Sequence, residues 1–194
     1  MTTALNISRL LAVPGEDSDL RRHLRLQVGD DPGVTAAELL HGLVTSSDMP
    51  QGQYPGEGVP CTVAEVSGIL RPLTASAEQM ADLLATVCCT ELAYRSLSRA
   101  WSIHEAHSAC RAVVELLGDQ ARWWTNTHFP GEVSGEALDE GGRWWDPVTT
   151  FVFDLALVGI SADATVVVVS GGLPLNVDTG FRRRLPGYLR FSRS

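Results

Sequence analysis

The amino-acid sequence predicts an α+β fold, with a helical bundle over about residues 1–120 followed by an antiparallel β-sheet or barrel-like tail over about residues 121–194. Three observations carry this expectation. First, a Ser or Thr followed three residues later by Glu or Gln recurs at Thr35–Glu38, Thr62–Glu65, Ser76–Gln79 and Ser102–Glu105. That spacing lets hydroxyl and carboxylate or amide satisfy the orphan N–H groups of a helix start. Second, after Asp119 the helical period gives way to paired tryptophans, β-branched runs and Gly turns. Third, 194 residues with 44% hydrophobic content suit one domain with a core of its own, so residues 1–194 are read as a single domain.

Taken in order, Leu20, Leu24 and Leu26 with Arg21, Arg22 and Arg25 predict a short amphipathic helix before the Gly29-Asp30-Asp31-Pro32-Gly33 break. Thr35 starts the next helix, with Leu39, Leu40, Leu43 and Val44 as its buried stripe. Thr45 to Pro60, rich in Ser, Gly and Pro, reads as a long loop, either a lid or a connector. Helices starting at Thr62, Ser76 and Ser102 extend the bundle to Gly118, a natural stop after Leu116-Leu117. Trp123 to Phe129 reads as a strand carrying His128, and Gly142 to Pro147 as a second strand ending in Asp146-Pro147. Phe151, Phe153, Leu155 and Leu157 alternate on one face, Ser161 to Ala164 turns, and Thr165 to Val169 returns as a buried strand.

Charge and composition narrow the function. Fifteen basic against 23 acidic residues leave a net charge of -8, which repels phosphate backbones and makes nucleic acid an unlikely partner. All the basic residues are Arg. A Schiff-base lysine and a P-loop, which both need Lys, are therefore excluded. The first residues lack a basic flank and a small-residue cleavage pattern, and the longest apolar runs fall short of a membrane span. A cytoplasmic chain with no membrane partner is expected. The Arg182-Arg183-Arg184 run with Arg190 and Arg193 is read as a basic tail, suited either to a solvated edge or to an acidic partner such as a carrier protein or a phosphate-bearing ligand.

Cys61, Cys88, Cys89 and Cys110 lack the paired spacing of a structural zinc site. Free Cys is most often a small buried hydrophobe. Cys89, however, is expected on the first turn of a helix following a break at Val87-Cys88, where amide dipoles lower a thiol pKa. A histidine and a carboxylate on neighbouring strands can share an Nδ1–H contact that fixes the imidazole tautomer and leaves Nε2 for the thiol. The catalytic set expected on these grounds is Cys89, with the adjacent Cys88 as the alternative thiol, His128 and Asp146. His104 and His107 share a helix face but lack a third metal ligand at a usual spacing, so no metal is expected.

From Val87 to Thr149 the chain resembles the transglutaminase-like branch of papain-like cysteine enzymes. Cys89-Thr90-Glu91-Leu92-Ala93 is similar to that branch's Cys-x-acid-x-Ala helix start, His128 sits on a strand, and Asp146 follows Trp145 on the next. In size and in thiol-to-imidazole spacing it looks most like the small Dieckmann cyclases of tetramic-acid and pyridone biosynthesis. That resemblance implies a Cys-His-Asp triad acting on a β-ketoacyl-aminoacyl thioester presented on a carrier protein's phosphopantetheine, with no cofactor bound by the enzyme. It also implies an acid between thiol and imidazole in chain order, which points to Asp119 or Glu115 and leaves Asp146 one of three alternatives. Transglutaminase-like hydrolysis or amide transfer uses the same residues. A non-enzymatic interaction protein of the immunity or adaptor kind is the reading from a different class.

Overall fold

The computed structural model describes residues 2–12, 24–31, 33–46, 59–89, 101–129, 133, 144–151 and 153–171. Most of the long loop, the Glu91 and Ala93 positions and the Arg-rich tail lie outside them. Within them are five helices, α1 (Thr3–Leu10), α2 (Ala36–Val44), α3 (Val63–Ile69), α4 (Ala77–Cys89) and α5 (Ile103–Leu117). There are seven strands: β1 (Leu24–Gly29), β2 (Arg71–Leu73), β3 (Arg122–Thr125), β4 (Thr127–His128), β5 (Trp144–Trp145), β6 (Asp154–Ile160) and β7 (Thr165–Gly171).

The α+β class holds, and the helix starts fall where the capping pattern puts them. Thr35, Thr62 and Ser102 each accept from the backbone N–H three residues on, while the Glu at that position accepts from the cap's own N–H. Ser76 and Gln79 make the same reciprocal pair. α5 stops at Gly118, whose φ of 81° is costly for a residue with a Cβ.

A five-stranded antiparallel sheet in the order β1-β7-β6-β3-β2 forms the middle layer. Its two edge strands come from the part expected to be purely helical. β1 replaces the helix expected around Leu24, because Leu24, Leu26 and Val28 alternate with Arg25 and Gln27 and pack one face on the core. β2 is short and contains Pro72, a residue the edge of a sheet tolerates.

The helices do not form one bundle, because they divide between the two faces of this sheet. α1, α4 and α5 bury Ile7, Leu83, Leu84, Val87 and Val113 with Leu155, Leu157, Val166 and Val168 on one face. α2 and α3 bury Leu40, Leu43 and Val66 with Val158, Ile160, Val167 and Val169 on the other. Covered on both sides, β6 and β7 are buried along their whole length, which explains their unbroken apolar sequence. Each fully buried Val or Leu contributes about 1.5–3 kcal/mol, making this hairpin the centre of the core. Ser161 N–H to Ala164 C=O (2.9 Å) closes its turn as expected.

The alternation read from Phe151 to Leu157 is broken at its start. β6 begins only at Asp154, Phe151 joins the α2–α3 side, and Phe153 is 39% exposed against Trp145. Of the first tryptophan pair, Trp123 packs inward beneath α4 and α5, whereas Trp124 faces the other cluster with the Arg122 guanidinium over its ring.

Candidate functional site

The strand expected from Trp123 to Phe129 is two strands. β3 ends at Thr125, paired with Leu157 of β6, and β4 pairs with β5 in a separate two-stranded sheet. Asn126, fully buried, stands at the break. Its side-chain oxygen accepts from Ala156 N–H (2.8 Å), doing what a backbone carbonyl would do had the ladder continued. Its Nδ2 donates to Asp154 Oδ1 (2.8 Å) and to the Asp146 carbonyl (2.9 Å), and its own carbonyl accepts from Asp146 N–H (3.0 Å).

Asp154 anchors this network. Its Oδ2 accepts from Val148 N–H (3.0 Å), Thr149 N–H (2.7 Å) and Thr149 Oγ1 (2.7 Å), fixing the turn that follows Asp146. Burial pushes its pKa up to about 6, and the hydrogen bonds from Thr149, Val148 and Asn126 pull the other way without prevailing. A buried carboxylate with this many donors is satisfied, and here it acts as a structural clamp.

The clamp positions the groups with chemical potential. The register places His128 opposite Trp144, and Asp146 continues β5 on the same side. Asp146 Oδ2 lies 3.9 Å from His128 Nε2 and accepts a 2.6 Å bond from Arg71 Nη2 on β2. All three side chains are 37–38% exposed, open enough to meet a ligand. The geometry departs from expectation in one respect. Nε2 faces the carboxylate at a distance beyond hydrogen-bond reach, in place of the expected Nδ1–H contact.

Glu115 and Asp119 stand elsewhere. Both are exposed, Glu115 on α5 and Asp119 in the turn preceding β3, whereas His128 follows the other end of that strand.

Cys89 is the thirteenth residue of α4, counted from Ala77, and does not lie on a first turn. The stripe Met80, Leu83, Leu84, Val87 and Cys88 runs without interruption, so the chain has no reason to break at Val87. The Cys89 sulfur is 0% exposed and donates to the Ala85 carbonyl at 2.8 Å. Cys88 and Cys110 are equally buried in the same cluster. A hydrogen bond with Cys88, burial and the two neighbouring sulfurs push the Cys110 thiol well above the ordinary range.

No protein-family model matches this chain, and no curated protein or solved structure matches it. The site therefore rests on its own geometry. His107 faces Glu78 at 3.9 Å, and Glu78 also accepts from Arg111. Among the described residues, no three or more His, Cys, Asp or Glu side chains are placed to hold a metal ion, and no helix is long and apolar enough to cross a membrane.

Sequence reasoning missed Arg71, Asn126 and Asp154. Only Asp154 left a signal, as the lone charge within the apolar run Phe151 to Ile160. A carboxylate in a strand buried on both faces needs partners, and that requirement points to a polar network.

Proposed function

We propose that this chain is a thiol-dependent acyl-transfer enzyme and, more narrowly, a Dieckmann cyclase. It would release a β-ketoacyl-aminoacyl thioester from a carrier protein as a tetramic acid or pyridone. The finer fold expectation, a transglutaminase-like core with a barrel-like tail, is part of the same proposal. The observation that carries it is the His128–Asp146 pair on adjacent antiparallel strands, held by the Asn126–Asp154 clamp.

In this reading the Cys89 proton passes to His128 as the sulfur attacks the thioester carbon. The carbon–sulfur bond to the phosphopantetheine arm breaks, and the departing thiolate takes that proton. His128 next removes the acidic proton between the two carbonyls. The carbanion attacks the acyl carbon, the bond to Cys89 breaks, and the thiolate recovers the proton. This sequence requires the Cys89 sulfur to leave the Ala85 carbonyl and meet the imidazole.

One observation favours the other class of function. Complete burial of Cys89 on the core face of α4 is what a structural thiol shows, and a non-enzymatic interaction protein needs nothing more. A simple N-acetylcysteamine thioester of a β-ketoacyl amino acid separates the readings. The cyclase gives a ring and a Cys89 acyl adduct, both lost in Cys89→Ala. A free acid or an amide assigns hydrolysis or transfer to the same residues. Unchanged substrate, with Cys89 alkylated no faster than Cys88, leaves the interaction reading.

A further inference from the structure

We infer that Arg71 controls whether Asp146 is available to His128, and that an oxyanion on an incoming ligand, by drawing off the guanidinium, hands the carboxylate to the imidazole. The side-chain position that seats the Asp146 carboxylate on the guanidinium leaves it short of the imidazole. In the structure Asp146 Oδ2 is bonded to Arg71 Nη2 at 2.6 Å and stands 3.9 Å from His128 Nε2, about 1 Å beyond a hydrogen bond.

The Arg-held arrangement is not a resting point with every group satisfied. Arg71 Nε is buried and has no acceptor among the described residues, so the guanidinium keeps one donor out of water without a partner there. The pair is also 38% exposed on both sides, and ion pairs that open to solvent are weak competitors for a ligand oxyanion with several lone pairs. A phosphate or carboxylate suits the planar guanidinium fork better than a single carboxylate oxygen does. By contrast, the Asp146 backbone cannot follow the guanidinium, because Asn126 holds both its N–H and its C=O. Only the side chain is left to turn, and the His128 imidazole lies 3.9 Å away on its own side of the β4–β5 pair.

Arg71 is thus a positioning residue that acts through Asp146. The inference shares His128 and Asp146 with the proposed function and is independent of Cys89. Failure of thiol acylation therefore leaves it standing, and its own failure leaves the thiol chemistry to be judged separately.

The test is NMR of the histidine ring nitrogens in the full chain, titrated with inorganic phosphate. In wild type, phosphate is expected to bring out the downfield Nε2–H resonance of a carboxylate-bonded His128. Arg71→Gln should show that resonance without phosphate and respond no further. Arg71→Lys, which keeps the charge and loses the fork, should need more phosphate than wild type, and Asp146→Asn should never show the signal. Backbone amide dispersion confirms that each variant is folded. A His128 resonance indifferent to phosphate in wild type, or the same in Arg71→Gln as in wild type, overturns the inference.

Discussion

The thiol end and the imidazole end of the candidate site lie in opposite environments. His128, Asp146 and Arg71 sit more than a third exposed, on short strands held by a buried polar network. Cys88, Cys89 and Cys110 have no exposed surface and pack among Leu, Val and Ala side chains where α4 and α5 meet. Nucleophilic chemistry needs the opposite of that second environment, an electropositive and partly open one. The contrast teaches that residue types alone do not make a triad. The solvent that each group keeps decides which of them can act.

The widest test of that contrast is thiol reactivity. Exposed Cys61 should be alkylated in the native protein, while Cys88 and Cys110 should react about 10⁴-fold more slowly, limited by opening of the core. Mass-resolved iodoacetamide kinetics measure all four. If Cys89 follows Cys61, the two ends communicate; if it follows Cys88, they do not.

The clamp comes next. Asp154→Ala leaves one of the two Asn126 Nδ2 donors, two backbone N–H groups and the Thr149 hydroxyl without their acceptor, and should lower stability by about 4 kcal/mol in urea unfolding. The same carboxylate gives a pH signature. Its folded pKa of about 6 lies above the ordinary 3.8, so the folded state holds the proton more tightly. Its contribution is complete below about pH 3.8 and is lost as pH rises through about 6, about 3 kcal/mol in all. Unfolding midpoints between pH 4 and 7.5 should show this slope in wild type and lack it in Asp154→Asn. The capping glutamates Glu38, Glu65 and Glu105, whose pKa values are lowered by their cap bonds, act with the opposite sign at more acidic pH.

Two smaller effects mark the scaffold that both ends share. A Cβ on Gly159 would lie 2.7 Å from the Trp123 ring, so Gly159→Ala should destabilise by about 2 kcal/mol and perturb tryptophan fluorescence. Ser102→Ala removes one helix cap and should cost about 1 kcal/mol, seen as a lower thermal midpoint.

What could be read in the sequence was local. Capping pairs at Thr35, Thr62, Ser76 and Ser102 need only residues three apart, and the β6–β7 hairpin needs only its own turn. β1 was obscured because Leu20 with Leu24 mimics a helical spacing, and only pairing with Val166 to Ser170 decides for a strand. The end of β3 at Asn126 depends on Asp154 and Ala156, about thirty residues away, which no local period reports. Likewise Arg71 meets Asp146 only because β2 docks beside β3.

The placement of β1 also bears on how the molecule is assembled. Leu24 finds its partner in Ser170, so the first of the described strands to leave the ribosome must wait for the last of them. Until then its Leu24, Leu26 and Val28 strip has no ladder to join, and such distant pairing slows folding. The β1–β7 ladder closes only once synthesis has passed residue 171, and an unpaired β1 needs protection from neighbouring chains in the meantime.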